Sequence, residues 1–591
     1  MKKIHIFLSP LNNRQKKHFL LNFSEGDTVV YLDNVVDISF VNSANLTSFS
    51  SVSIDCSKET KLFFESVIEL ESVRGGERFF AYSDIFYENL VLPAIKLIKF
   101  VEKEIGIGSS FYIYGAKISG KGLPVAGYKN KELNVGSKYL LGGFLFNVLY
   151  QSYRGDCSVI FYGRSGDLLC SYLFRRAALT FVDILSGLLL LTKISVLKFF
   201  FRNFRENDNK ASLLYILRTP HQIRYAIEFS EIANEKFNKD SKFLLLPQAR
   251  QGGIKAIVEQ FSQSNSTPYL PRLNTLFNCF FKFATRNLIN KRTSELKGDL
   301  IIQTGKKNFS ISLNETIREL NCLFCDDIYS TVLNDVLEKR SDLIEKVVSF
   351  SMKGRYTTYE YYSCKKSNLH YDIVQTASLS NTTSAVFPLS NRFFVDSLST
   401  FNSLKMGLKR NGGVVYSGCP YPIEKSRKLL ESRDITFFTQ PYDLLSTKLF
   451  LDKFSIWCSD NNFNLFVKLH PRDDKKNYFD LEGITIFSDD IPLKNVIERS
   501  MVSITRTSSV IIESLALGKP VIPLMLSNYD MAVDVGYLNL IRSAKLYCRD
   551  EKEVGNLISD NSNLLDMMTN LQLKLFDSKD IHSLVSEVYE S

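Results

Sequence analysis

Two short runs in the last third of the chain carry side chains that could handle a phosphate. The first is Lys468-Leu469-His470-Pro471-Arg472. A strand-like run over 464–469 leads into it. Proline stops a strand and fixes a turn, so His470, Lys468 and Arg472 are expected to group at a sheet edge. The second is Thr507-Ser508-Ser509, which opens a helical pattern over 510–517. Hydroxyls cap a helix start, and the free N–H groups there accept an anion. Glu513 lies four residues beyond Ser509 and so on the same helix face. A carboxylate there could accept hydrogen bonds from ribose hydroxyls. Gly518 closes this helix and Pro520 prevents its continuation. Taken singly, a Ser pair is an ordinary cap and a His-Pro an ordinary turn. Together, a basic cluster and a helix-terminal anion site in successive strand–helix units describe a nucleotide phosphate pocket.

These runs need a scaffold. From about residue 209, strands are expected over 212–217, 243–246, 299–303 and 321–324, with helices at 223–237, 314–320 and 329–352. A second alternating series begins near Gly412. Its strands cover 414–417, 435–439, 464–469, 484–487, 502–505 and 521–524; its helices cover 443–460, 492–499, 510–517 and a region within 551–589. Such alternation implies parallel sheets with crossovers. Ligands of these sheets sit at the carboxyl-terminal strand ends. That rule singles out Thr219, Gln248, Gln440 and the pair Asp326-Asp327. Before residue 209, strands are expected over 4–8, 29–32, 110–114 and 157–162. The last enters Gly163-Arg164-Ser165-Gly166-Asp167, a strand-to-helix turn that could cradle phosphate or simply turn. The class is α/β, in three units: 1–208, 209–410 and 411–591.

The chain has 591 residues, consistent with about three domains. Hydrophobic residues make up 45%, which excludes global disorder. The net charge of +10 suits an anionic partner. No aromatic–basic signature of nucleic-acid binding accompanies it. The start of the chain lacks a signal-peptide pattern and reads as a strand. The ten cysteines are scattered, as in a reduced cytosolic protein. Cys322 and Cys325 form a lone CxxC, read here as strand residues; without a second pair or a nearby His, zinc is not expected. The most apolar stretch, 181–201, is interrupted by Asp183, Lys193 and Lys198. Its longest uncharged run, 184–192, falls short of the roughly 18 residues of a spanning helix. Arg175, Arg176, Arg202 and Arg205 flank it. It reads either as a buried helix pair or as a segment lying on an anionic membrane leaflet.

The order of Lys468-Leu469-His470-Pro471-Arg472, Ser508-Ser509, Glu513 and Gly518-Lys519-Pro520 resembles the HP and SS motifs of bacterial CMP-sugar glycosyltransferases. These are the sialyltransferase and polysialyltransferase families and, more loosely, the capsule Kdo transferases. Leu214 to Gln222, with its Thr219-Pro220-x-Gln222, is similar to the first strand and turn of the lipooligosaccharide sialyltransferases. Asp326-Asp327 stands where those families carry an acidic-acidic-Gly motif, with Ile328 in place of the glycine. The resemblance covers about 210–545 and implies a GT-B fold of two Rossmann-like domains. It implies His470, Ser508 and Ser509 on the leaving phosphate, with His470 also able to donate a proton. Lys468, Pro471, Arg472 and Thr507 complete that site, and Glu513 holds ribose. Gln440 lies at or near the cytosine, and Asp326 or Asp327 is the acceptor base. No metal is implied. The implied partners are a CMP-sugar and a capsule or lipopolysaccharide acceptor, at the cytoplasmic membrane face, with no nucleic acid. A CDP-glycerol or CDP-ribitol phosphotransferase also fits a strand-end His-Pro with a later Ser-Ser, although that class favours a second His-Pro. A non-catalytic nucleotide-sugar-binding subunit would fit Ile328.

Overall fold

The computed structural model describes residues 3–8, 11, 13–31, 41, 45–48, 54–71, 82–83, 86–105, 109–114, 144–145, 147–153, 160–162, 167–201, 211–248, 253–264, 266, 268–289, 298–313, 316, 323–350, 355–376, 390–405, 413–424, 432–441, 443–470, 473–488, 491–533, 535–577 and 579–590. The first unit holds β1 (Lys3–Phe7), β2 (Thr28–Tyr31), β3 (Asn45–Ser48), β4 (Ser110–Tyr114) and β5 (Ile160–Tyr162). They form a parallel sheet in the order β3-β2-β1-β4-β5. Its helices are α1 (Asn13–Asn22), α2 (Ser57–Glu71) and α3 (Leu92–Ile105), followed by a long α4 (Asp167–Phe200).

The second unit begins with β6 (Ala211–Leu217), β7 (Ser241–Leu245) and β8 (Pro268–Tyr269), then the antiparallel hairpin β9 (Asp299–Thr304) and β10 (Lys307–Ser312). It continues with β11 (Ile344–Ser349), β12 (His370–Val374), β13 (Arg392–Phe394) and β14 (Gly413–Val415). Without the hairpin these make a seven-stranded parallel sheet ordered β14-β13-β12-β11-β6-β7-β8. Leu213 to Leu217 are all buried, as expected for a strand covered by helices on both faces. The helices are α5 (Pro220–Phe237), α6 (Ile254–Ser262), α7 (Leu273–Ile289), α8 (Leu323–Arg340), α9 (Arg355–Lys366) and α10 (Leu398–Lys405). Thr219 caps α5, accepting from the Gln222 amide, with Pro220 in the first turn.

The third unit is a parallel sheet of β15 (Asp434–Phe438), β16 (Asn464–Lys468), β17 (Ile484–Ile486), β18 (Val502–Thr505) and β19 (Val521–Pro523), ordered β17-β16-β15-β18-β19. Around it lie α11 (Leu444–Asp460), α12 (Leu493–Arg499), α13 (Val510–Ala516), α14 (Asn528–Ala532), α15 (Gly536–Ser543), α16 (Glu551–Ser559) and α17 (Asn561–Phe576), and a last helix, α18 (Ile581–Glu590), leaves it. The chain returns on itself at the end. Ile581, Leu584, Val585 and Val588 of α18 join the apolar core of the second unit. The Tyr589 hydroxyl bonds Ser241 Oγ at 2.7 Å, and Lys346 Nζ donates to the Val588 carbonyl at 2.7 Å. The outgoing and returning connections lie side by side. Cys419 N donates to the Lys579 carbonyl and Ile581 N to the Tyr421 carbonyl, both at 3.1 Å. Two Rossmann-like units so joined form the expected GT-B-like pair, preceded by an additional α/β unit. The first and second units share one continuous core.

Several expectations are corrected. Residues 323–324 belong to α8 instead of a strand, so Asp326, Asp327 and Cys325 lie in its first turns; Cys322 lies outside the described residues. The helix expected to 352 stops at Arg340, and Ile344–Ser349 is the strand β11. Its Ile344, Val347 and Val348 are β-branched and buried at the sheet centre, where packing overrides helical spacing. Strands β12 and β13 were not foreseen. Gly413–Val415 pairs with β13, and α18 packs on the same sheet, so both belong with the second unit and not with 411–591. The 181–201 stretch is part of one continuous helix, not a helix pair. The turn at 163–166 and most of 314–320 lie outside the described residues. Among the described residues, no helix is long and apolar enough to cross a membrane.

Candidate functional site

Register places the first group of side chains. Phe438 of β15 pairs with Lys468 of β16 on one side and Thr505 of β18 on the other. Two residues further, His470, Gln440 and Thr507 therefore form a row along the carboxyl-terminal rim. The row is pinned from within. His470 N donates to Thr439 Oγ1 at 3.0 Å, and Thr439 N to the Lys468 carbonyl at 3.0 Å. The Tyr537 hydroxyl donates to the Thr507 carbonyl at 3.1 Å. Gln440 is buried, whereas His470, Thr507, Ser508 and Ser509 are half-buried at the rim. Pro471 and Arg472 lie outside the described residues.

The serines act differently from simple caps. Ser509 occupies the N-cap position of α13, but its hydroxyl caps nothing in the helix. Ser508 Oγ accepts from Val510 N at 3.3 Å. Lys468 directs its ammonium to the Ser488 carbonyl, 2.7 Å away at the end of β17.

Arg506 and its partners are the part of the rim that sequence reasoning passed over. The guanidinium is fully buried. Its Nε donates to both Asp530 oxygens at 3.0 Å. Nη1 reaches the Asp443 carbonyl at 3.1 Å and Thr447 Oγ1 at 3.0 Å, and Nη2 reaches Asp443 Oδ2 at 2.6 Å. Asp530 also accepts from Leu526 N and Ser527 N. This network ties the residues after β15 to the β18–α13 turn, and so fixes the row just described. Burial works to raise the Asp443 pKa, but hydrogen bonds from Ser527 and Arg506 outweigh it and hold the carboxyl below the usual range. The signal in the sequence was an Arg one residue beyond a strand, without indication of which carboxylates it meets.

The second unit faces this rim through α5. Arg224 lies close enough to Glu513 of α13 for charge attraction; burial raises the Glu513 pKa and Arg224 opposes it. Tyr225 donates its hydroxyl to Tyr421 at 2.8 Å. His221, in the first turn of α5, packs edge-on to Tyr225 with ring centroids 4.8 Å apart. Desolvation and the adjacent Arg224 pull its pKa below 6.5, which favours neutral imidazole near pH 7. Its Nε2 lies 3.4 Å from the Thr376 carbonyl, and the sequence reading treated His221 only as a turn residue.

Asp326 and Asp327 also lie at the carboxyl-terminal end of the second sheet. Arg218, one residue past β6, reaches Tyr329 of α8 at 3.2 Å and pairs with buried Glu360. That contact anchors the start of α8 at this rim. Asp326 is buried, 3.3 Å from Arg355 Nε, and accepts from Tyr82 of the first unit and from Tyr359 at 3.3 Å. Asp327 is half-buried.

No family model matches the chain. One curated relative is 31% identical over 166 residues: nucleoporin NUP133 of Saccharomyces cerevisiae. The match covers 26% of this chain, and the chain spans only 13% of that protein's length. Solved structures of similar outline include Staphylococcus aureus MnaA with UDP, at TM-score 0.38 and 11% identity over 64% of this chain and 96% of that one. The glycosyltransferase SnogD of Streptomyces nogalater scores 0.39 at 12% identity, over 64% and 100%. TarM scores 0.41 at 9% identity, over 64% and 99%.

Proposed function

We propose that the chain is a GT-B-type glycosyltransferase that moves a sialic-acid- or Kdo-type sugar from a CMP-sugar to a capsule or lipopolysaccharide acceptor in the cytoplasm. The observation that carries this reading is the grouping of His470, Gln440 and Thr507 with Ser508 and Ser509 at one sheet rim, with Arg224 of the second unit near Glu513. As the bond to the sugar breaks, the leaving phosphate gains negative charge. Fixed donors aimed at it then stabilise the transition state. His470 and the hydroxyls of Ser508 and Ser509 are the donors, with Thr507, Lys468, Pro471 and Arg472 around them. His470 also supplies a proton to the leaving group. Glu513 takes the ribose hydroxyls, and Gln440 lies near the cytosine. The facing unit supplies the base for the acceptor hydroxyl, from His221 or from the Asp326–Asp327 pair. No metal takes part.

A melting series with CMP, CDP and UDP tests the reading. A ligand at about 100 times its Kd adds roughly 2.7 kcal/mol of stability. CMP should raise the Tm, and CMP-sialic acid or CMP-Kdo should be hydrolysed. Protection by UDP alone, or by no nucleotide, overturns the proposal. Protection by CDP-glycerol alone assigns the site to polyol-phosphate transfer instead.

A further inference from the structure

The exposed face of α4 has a composition unlike the rest of the surface. Phe181, Leu185, Leu188, Thr192 and Phe199 recur at intervals of three, four and seven residues, so they share one face. All five are exposed, Phe181 by 67%. From Phe181 onward, no exposed position of this helix carries a charge. The neighbouring α7 adds Phe277 and Phe281, which are four residues apart and also exposed. An apolar stripe spread over two packed helices exceeds the scattered single residues normal for a surface.

Charge distinguishes the occupant. No Asp or Glu occurs in α7, while Lys282 beside Phe281 and Arg272 just before the helix are exposed. The chain continues from α4 into Arg202 and Arg205. An apolar face edged by cations suits the interface of an anionic bilayer, where Phe and Leu enter the acyl boundary and Lys and Arg meet headgroups. Lys193, on the same helix, donates to the Gln248 carbonyl at 2.9 Å. Gln248 lies three residues past β7, at the carboxyl-terminal rim of the second sheet. The buried side of α4 is therefore tied to the rim assigned above to the acceptor, with the apolar face on its outer side.

We propose that α4 and α7 form a membrane-docking surface that seats the protein on an anionic leaflet and presents a lipid-linked acceptor to the cleft. The presentation half of this proposal rests on the glycosyltransferase reading; the docking half does not. Flotation of the full chain with vesicles of phosphatidylcholine, with or without phosphatidylglycerol, tests docking without any donor or acceptor. The chain should float with the mixed vesicles and roughly tenfold less with phosphatidylcholine alone. A double variant, Leu185→Glu with Leu188→Glu, should lose flotation while its Tm and its hydrolysis of a soluble donor stay unchanged. If that variant misfolds, Phe181→Ser alone should reduce flotation. Wild-type protein that ignores anionic vesicles, or variants that float as well as wild type, would overturn docking. A wild-type dimer that the variant converts to monomer, without vesicle binding, would make the face a subunit contact and equally overturn it.

Discussion

Arg506 places its Nε 3.0 Å from both carboxylate oxygens of Asp530, with both residues fully buried. Asp443 shares the same guanidinium. Replacing one member of a buried ionic set leaves its partners charged and unpaired, at a cost of about 3–5 kcal/mol. Arg506→Ala should lower stability by about that much and release the β18–α13 turn. Arg506→Lys keeps the charge but loses the planar fork, so it should recover only part of it. Denaturant melts of the three proteins provide the comparison, and equal midpoints would remove Arg506 from the role of organiser.

The legibility of the site follows from which interactions are local. His470, Ser508, Ser509 and Glu513 could be found because a strand, a proline and a helical pattern lie beside them in the chain. Their strands formed as expected, and pairing register did the rest. The partners of Arg506 could not be read in this way, because Asp443 is 63 residues away and Asp530 is 24. Asp326 and Asp327 read as the end of a strand because of the apolar run at 321–324. In the fold that run starts α8, and the β-branched residues at 344–348 form the central strand instead. The return of α18 to the second sheet left no local trace, because an amphipathic helix does not reveal which core it covers.

The paired connections between the two Rossmann-like units meet at one glycine. Gly418 has φ +152°, and a Cβ built there would collide with the Asp580 carbonyl oxygen on the returning connection. That oxygen belongs to backbone and cannot swing aside. Gly418→Ala should therefore push the two connections apart. We expect a loss of about 1–3 kcal/mol from the strained conformation and, on the proposed glycosyltransferase reading, a larger fall in transfer rate than in nucleotide affinity. Unchanged stability and turnover would show that the paired connections tolerate separation.

His5 lies inside the first unit, fully buried, with Nδ1 3.3 Å from the Tyr114 hydroxyl and Nε2 3.6 Å from Asp27. Burial lowers its pKa to about 4, and Asp27 only partly offsets this. The unfolded chain therefore binds a proton at His5 near pH 6.5, before the folded chain does. The sign is fixed: this contribution is fully present above about pH 6.5 and is lost as pH falls towards 4. It amounts to roughly 3 kcal/mol at most. His5→Phe should flatten stability against pH across that window. A slope unchanged by the substitution would assign acid sensitivity to other groups.

His470 is expected to act on chemistry and not on stability. Its side chain is half-buried at the rim, while its backbone amide carries the contact to Thr439. His470→Ala keeps that amide and should change the unfolding free energy by no more than about 0.5 kcal/mol, as for a substitution at the surface. Loss of a donor to the leaving phosphate should lower kcat by about 100- to 1,000-fold. Ser508→Ala with Ser509→Ala should act in the same direction. Retained turnover in His470→Ala would remove the histidine from the donor site.

On the proposed glycosyltransferase reading, a pH profile assigns the acceptor base. His221 has an ordinary pKa of 6.5 that desolvation and Arg224 pull lower. A base must be unprotonated, so with His221 in that role kcat/KM should fall on the acid side with an apparent pKa below 6.5. His221→Gln should then lose about 100- to 10,000-fold in rate and abolish that limb. If Asp327 is the base instead, Asp327→Asn should remove the limb while His221→Gln should not. Asp326 is set apart by its contacts with Arg355 and Tyr82. Asp326→Asn should chiefly lower stability and loosen the first unit from the second, leaving the pH profile of the remaining activity in place. If Asp326→Asn instead erased the acid limb with an unchanged Tm, the buried carboxylate would be the base, and its contact with Arg355 would have to open during turnover.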